Sequence, residues 1–127
     1  MKTIKMIVMG LLFGLFLMGS SKVYAQDPVK LAPNNYKKVL IDNEQTRVVD
    51  FEIAPGETIP WHSHPNHLIY ALTSGKIEIT DKGKTPTVAD IKMGDAMYMP
   101  AVTHMAKNTG TTTVKLVIVE IKPMTSK

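Results

Sequence analysis

From residue 36 onward the sequence is punctuated by turn signals so often that no segment of helical length lies between them. Ala54-Pro55-Gly56-Glu57, Ser74-Gly75, Asp81-Lys82-Gly83-Lys84, Lys92-Met93-Gly94-Asp95 and Asn108-Thr109-Gly110 follow one another at short intervals. Gly supplies positive φ, Pro fixes φ, and Asn and Asp bond back to their own backbone, so each cluster reads as a chain reversal. The runs between them have a period of two. Residues 47–53 set Val49, Phe51 and Ile53 on one face and Asp50 and Glu52 on the other; residues 76–80 alternate Ile77 and Ile79 with Lys76, Glu78 and Thr80. Residues 112–121 form the longest β-branched run, and 39–41, 58–64, 67–73, 85–91, 96–99 and 103–107 complete the set. Pro60 and Pro65 keep the 58–64 run out of a central-strand interior, because proline has no amide hydrogen to donate. Many short strands at near-regular spacing predict an all-β sandwich or barrel.

The first 25 residues belong to a different kind of segment. Lys2 and Lys5 give a basic start, residues 6–18 are apolar apart from Gly10 and Gly14, and Val23-Tyr24-Ala25 puts short residues at −3 and −1 of a cut before Gln26. This is the layout of a secretory signal peptide, with cleavage after Ala25. An apolar run of 13 residues is short of the roughly 20 that a membrane span needs, so no stable membrane anchor is expected after cleavage. The expected organisation is a signal peptide (1–25), a linker rich in turn residues (26–35), one β-barrel domain (36–122) and a short tail (123–127). The expected location is the periplasm or the exterior of a bacterial cell.

Removing the leader removes the basic balance. The chain has 15 Lys and Arg against 11 Asp and Glu; Lys2, Lys5 and Lys22 lie in the leader and no acid does, which leaves 12 basic and 11 acidic residues. A near-neutral domain offers no stripe of charge for nucleic acid. There is no cysteine, so the fold rests on its apolar core alone.

Three of the four histidines stand together in Trp61-His62-Ser63-His64-Pro65-Asn66-His67, and the fourth is His104. Two residues apart on an extended strand, the His62 and His64 imidazoles point to one face. Neutral imidazole is the commonest protein metal ligand and suits zinc, copper, iron and nickel. A same-face pair with a third histidine past a Pro-Asn turn predicts a metal site. No nucleophile-and-base arrangement, phosphate loop or dinucleotide fingerprint is present.

The surrounding residues resemble the two motifs of the cupin superfamily. Gly56, five residues, then His62-Ser63-His64 and a strand running toward Gly75 resemble the first motif; Gly94, five residues, Pro100, then His104 and, after three more, Asn108 resemble the second. Three departures stand out. The first motif's glutamate is missing: counting back from Gly75 puts Leu68 there, whereas aligning the apolar stretch 68–72 puts His67 there, the only one of the two that can ligate. Val102 stands where the second motif usually has glycine. The Pro100-to-His104 gap is one residue shorter than the common pattern, so the turn at 101–103 must absorb a shift that would otherwise flip the strand's faces.

The resemblance implies a double-stranded β-helix, or jelly-roll barrel, that holds one divalent transition metal ion (iron, manganese, zinc, nickel or copper) near one mouth. It brings His104 to His62 and His64 as a ligand, with His67 as the fourth candidate. It implies a small organic ligand or substrate and pairing into a homodimer through edge strands. Dioxygenase-type oxidation is the reaction it suggests first, isomerase or lyase chemistry next; a non-catalytic module that binds a metal or small ligand is the alternative. No catalytic side chain is identified. With no carboxylate among the ligands, the ion keeps its full double charge and favours an oxygen-donor or anionic partner. Tyr70, Tyr98, Met97, Met99 and Met105 flank the motifs and are expected to fill the core. Trp61 reads as either a pocket wall or a surface cap.

Overall fold

A computed structural model describes residues 26–125. The expected leader and its cleavage point lie outside the described residues, among which no helix is long and apolar enough to cross a membrane. The segment read as a linker carries a one-turn helix, α1 (Pro28–Leu31), capped by the Asp27 side chain accepting from the Val29 amide.

Nine strands follow: β1 (Tyr36–Asp42), β2 (Thr46–Ile53), β3 (Thr58–His64), β4 (His67–Ala71), β5 (Gly75–Asp81), β6 (Thr87–Ile91), β7 (Ala96–Met99), β8 (Val102–Asn108) and β9 (Val114–Ile121). They form two antiparallel sheets, one in the order β1-β2-β9-β4-β7 and the other β3-β8-β5-β6. The fold is the expected all-β jelly roll. Period-two patterning decides which side chains go inside. Val114, Leu116 and Ile118 of β9 lie beside Ile53, Phe51 and Val49 of β2 on the inner face of one sheet, and Ile59, Ile77 and Ile91 come from the second sheet; all nine are buried. Gly56 and Gly94, which open the two motifs, sit at φ 81° and 90°, where a side chain would strain the turn.

β3 is an edge strand, as Pro60 within it requires. Ile59 and His62 both point inward although they are three apart, a spacing that a regular strand forbids. The pairing slips between them: Ile59 faces Ala106 and His62 faces His104, with the irregularity at Pro60 and Trp61. A bulge of this kind re-aims side chains; here it brings the histidine pair to the inner face. Only Pro100 and Ala101 separate β7 from β8, and the Ala101 amide donates to Asn66 Oδ1 at 2.8 Å. The motif residue Asn108 is buried and structural: its amide donates to the carbonyls of Ile53 and Thr112, each at 2.8 Å.

Two core assignments from the sequence are corrected. Tyr70 and Tyr98 are 49% and 58% exposed. They lie on the outer face of the five-stranded sheet, because Tyr70 has the parity of Leu68, and His67 and Ile69 take the inner one.

Candidate metal centre

The alternation of β3 gives His62 and His64 one inward face, and antiparallel pairing with β8 sets His104 directly across from His62. His67 enters from β4, in the other sheet. All four imidazoles are buried. One ring nitrogen from each of His62, His64 and His104 lies within 4.8 Å of the others, an arrangement that can hold one metal ion. His67 stands beside this group, its ring centroid 4.6 Å from that of His64. Leu68, the other residue aligned with the missing glutamate, points outward and is 42% exposed.

The hydrogen bonds fix the tautomers. His62 Nδ1 is 2.7 Å from the Pro60 carbonyl and His67 Nδ1 is 2.8 Å from the Pro65 carbonyl. A carbonyl only accepts, so each Nδ1 carries the hydrogen and Nε2 keeps the lone pair. Burial drives the His62 pKa down to about 4, partly offset by the Pro60 bond, and drives that of His67 down as well. Burial, reinforced by the three neighbouring imidazoles, brings His104 to about 3. Neutral imidazole is the form that ligates.

His64 has a further set of partners. Its Nδ1 donates to Glu120 Oε1 at 2.9 Å, and Glu120 Oε2 accepts from Arg47 Nε at 2.6 Å. Arg47 also donates to both Asp27 oxygens, at 2.8 and 3.0 Å. Burial alone would raise the Glu120 pKa, but the bonds from His64 and Arg47 outweigh it and hold the carboxyl below its usual range. A carboxylate behind a ligating histidine sets its tautomer and ring orientation.

His104 lacks such backing. Its Nδ1 is buried without a hydrogen-bond partner, and the Asp81 carboxylate lies 3.8 Å away. Three buried imidazoles whose ring nitrogens converge fit a cation, whereas the unpartnered His104 Nδ1 is a cost the protein itself does not offset. The Tyr36 hydroxyl faces the same cluster, 3.5 Å from His62 Nε2 and 3.4 Å from His64 Nε2. Burial first, and then the charge of Glu120, raise its pKa and keep it a donor.

The cluster opens on a cavity of about 300 Å³ between the sheets. Met97 and Met99, both half-buried, line it together with isoleucines from both sheets. Trp61 faces away from the cavity. It is 43% exposed and borders a separate surface depression with Gln26 and Lys82. Sequence reasoning missed Tyr36, Glu120, Arg47 and Asp27. Only Glu120 left a signal: a charged residue at the inward parity of an otherwise apolar strand.

The family model of the cupin domain matches residues 49–120. No curated protein matches the chain. Among solved structures, a cupin domain from Bordetella pertussis Tohama I is 26% identical, with a TM-score of 0.63 over 68% of this chain and 91% of that one. An uncharacterized conserved protein with a double-stranded β-helix domain from Klebsiella pneumoniae is 26% identical, with a TM-score of 0.55 over 68% and 74% of the two chains. A predicted oxalate decarboxylase from Thermotoga maritima is 26% identical, with a TM-score of 0.50 over 67% and 77%. The family match runs from β2 to β9 and takes in all four histidines of the barrel, so the chain belongs to the cupin superfamily.

Proposed function

We propose that this protein is a mononuclear metal-dependent cupin that acts, outside the cytoplasm, on a small organic molecule reaching the ion through oxygen. The observation that carries the proposal is the three-histidine group facing a cavity of about 300 Å³. His62, His64 and His104 would hold the ion and leave room in its shell for a substrate, as catalytic sites do and closed structural sites do not. A divalent transition ion there supplies Lewis-acid polarisation of an oxygen donor and, where the ion is redox-active, access to oxygen chemistry. Dioxygenase-type oxidation is the first reaction in the proposal, with isomerase or lyase chemistry behind it.

The chain's own groups have distinct parts. Glu120 and the Pro60 carbonyl orient two of the imidazoles. The protonated Tyr36 hydroxyl is placed to donate to an oxygen brought to the cluster. The aliphatic walls exclude water, which strengthens every polar contact inside. His67 lines the same cavity with Nε2 as its lone-pair nitrogen and is the fourth candidate beside the three that hold the ion.

The test is elemental analysis of residues 26–127, purified without a His tag or chelator, beside His104→Ala. Near-stoichiometric metal, lost in the variant, supports the reading and names the ion to use in an oxygen-consumption screen. A protein that stays metal-free after anaerobic reloading with iron, manganese, zinc, nickel and copper sinks it.

A homodimer belongs to the same proposal, through a sheet face. Tyr98, Leu68, Val119, Val48 and Ile41 follow one another in register across β7, β4, β9, β2 and β1. Tyr98, Leu68 and Ile41 are all exposed. A continuous apolar row of this kind marks an interaction surface, and light scattering reads the oligomeric state directly.

A further inference from the structure

The cavity beyond the histidines has a chemistry of its own. Its walls are Ile59, Ile77, Ile91, Leu116, Met97 and similar side chains. The polar groups that line it, apart from the imidazoles, are the Tyr36 hydroxyl, Thr87 and the Asp81 carboxylate. No Lys or Arg lines it among the described residues. Arg47, the one guanidinium near the cluster, lies behind Glu120 and is committed to Glu120 and Asp27. All positive charge available to a ligand would therefore sit at the ion's end.

This limits what can enter. A carboxylate reaching past the ion would be desolvated among isoleucines with no cation to meet it, a cost of roughly several kcal/mol per charge. Asp81, on the same cavity, adds repulsion to a dianion. An apolar body is favoured in the same place, because burying apolar surface is stabilising by about 25 cal/mol per Å². At about 300 Å³ the cavity is at the small end of organic-ligand sites, the space of roughly ten waters.

Resting on the metal-centre reading above, we infer that the site takes a small, mostly apolar molecule with one oxygen-chelating head and at most one negative charge. A ring-sized or branched aliphatic body fills the cavity while the head meets the ion. Oxalate, with two charges and no body, is outside this class.

The test uses cobalt-loaded protein, residues 26–127, whose visible spectrum reports ligand binding at the ion. Three probes present paired oxygen donors: oxalate, acetohydroxamate and benzohydroxamate. Benzohydroxamate is expected to bind about 30- to 100-fold more tightly than acetohydroxamate, the ratio for burying roughly 100 Å² of ring. Oxalate is expected to be the weakest. Met97→Trp, which fills the cavity from a partly buried position, should cost benzohydroxamate about tenfold or more and leave cobalt uptake unchanged.

Oxalate as the tightest ligand, or equal affinity for the two hydroxamates, overturns the inference while the metal centre stands. So does benzohydroxamate affinity that Met97→Trp leaves untouched. Bound cobalt whose spectrum no probe alters also overturns it, and points to a closed shell. Failure to take up cobalt or any other divalent ion removes the metal-centre reading, and this inference with it. If Met97→Trp does not fold, the wild-type series still decides.

Discussion

His64 and His104 meet in one cluster, their ring centroids 5.4 Å apart, but the protein backs them differently. Behind His64 runs a continuous chain of hydrogen bonds through Glu120 and Arg47 to Asp27, from β3 through β9 and β2 to the segment ahead of α1. Behind His104 stands only Asp81, beyond hydrogen-bond reach at 3.8 Å, and Nδ1 has no partner. The His64 imidazole is oriented by the protein itself. The other is held by packing and by strand pairing with His62. In the proposed metal centre this gives one half that the protein orients itself and one that an ion would have to complete, and the two halves should respond differently to substitution.

The sharpest way to break that contrast is Glu120→Ala. It removes the acceptor of His64 Nδ1 and leaves Arg47 with Asp27 alone. Loss of a carboxylate behind a metal-bound histidine typically weakens metal affinity by about 10- to 100-fold. Breaking a buried pair costs about 3 kcal/mol of stability. Competition with a coloured chelator and a urea melt measure the two effects. Glu120→Gln, which keeps an acceptor for His64, should recover much of the affinity and less of the stability. If Glu120→Ala binds metal as wild type does, the chain behind His64 is structural only.

The two halves also differed in how much of them the sequence disclosed. His62 and His64 were legible because a period of two admits no other reading of their spacing, and His104 because the second motif carries it. The charged chain behind His64 was not. Glu120 and Arg47 are 73 residues apart, Arg47 and Asp27 are 20 apart, and each alone looks like a solvated charge. Pairing across three strands is a property of the sheet order, which no local pattern encodes. Glu120 was the one exception, since it follows Val114, Leu116 and Ile118 on the buried parity of β9. Tyr70 and Tyr98 were misplaced for the converse reason: a tyrosine suits either face of a strand, and only the neighbours' parity assigns it.

The second expected effect is a dependence of stability on pH in the metal-free protein. His62 and His104 have folded pKa values of about 4 and about 3, depressed chiefly by burial. Their unfolded value is near 6.5, so between the two the unfolded chain binds more protons and stability rises with pH. The contribution is present in full above about pH 6.5 and is lost as pH falls through about 4 for His62 and about 3 for His104, on the order of a few kcal/mol in all. His104→Asn should flatten part of that slope while keeping a polar group in the cluster. Urea melts at pH 7.5, 6, 5 and 4.5 read it out, and equal midpoints across the series would contradict the burial argument.

The smallest expected effect is at Asp81, and it decides what completes the weaker half. At 3.8 Å from His104 Nδ1 the carboxylate is too far to hold the ring, and it is 31% exposed, so water screens it. Asp81→Ala should therefore change stability by less than about 0.5 kcal/mol and metal affinity by less than about threefold, against the large losses of Glu120→Ala. If Asp81→Ala matches Glu120→Ala instead, the carboxylate closes on His104 once the ion is bound, and the asymmetry belongs only to the metal-free protein. A small effect on affinity combined with a tenfold fall in any turnover would give Asp81 a different place, facing the substrate across the cavity that it lines.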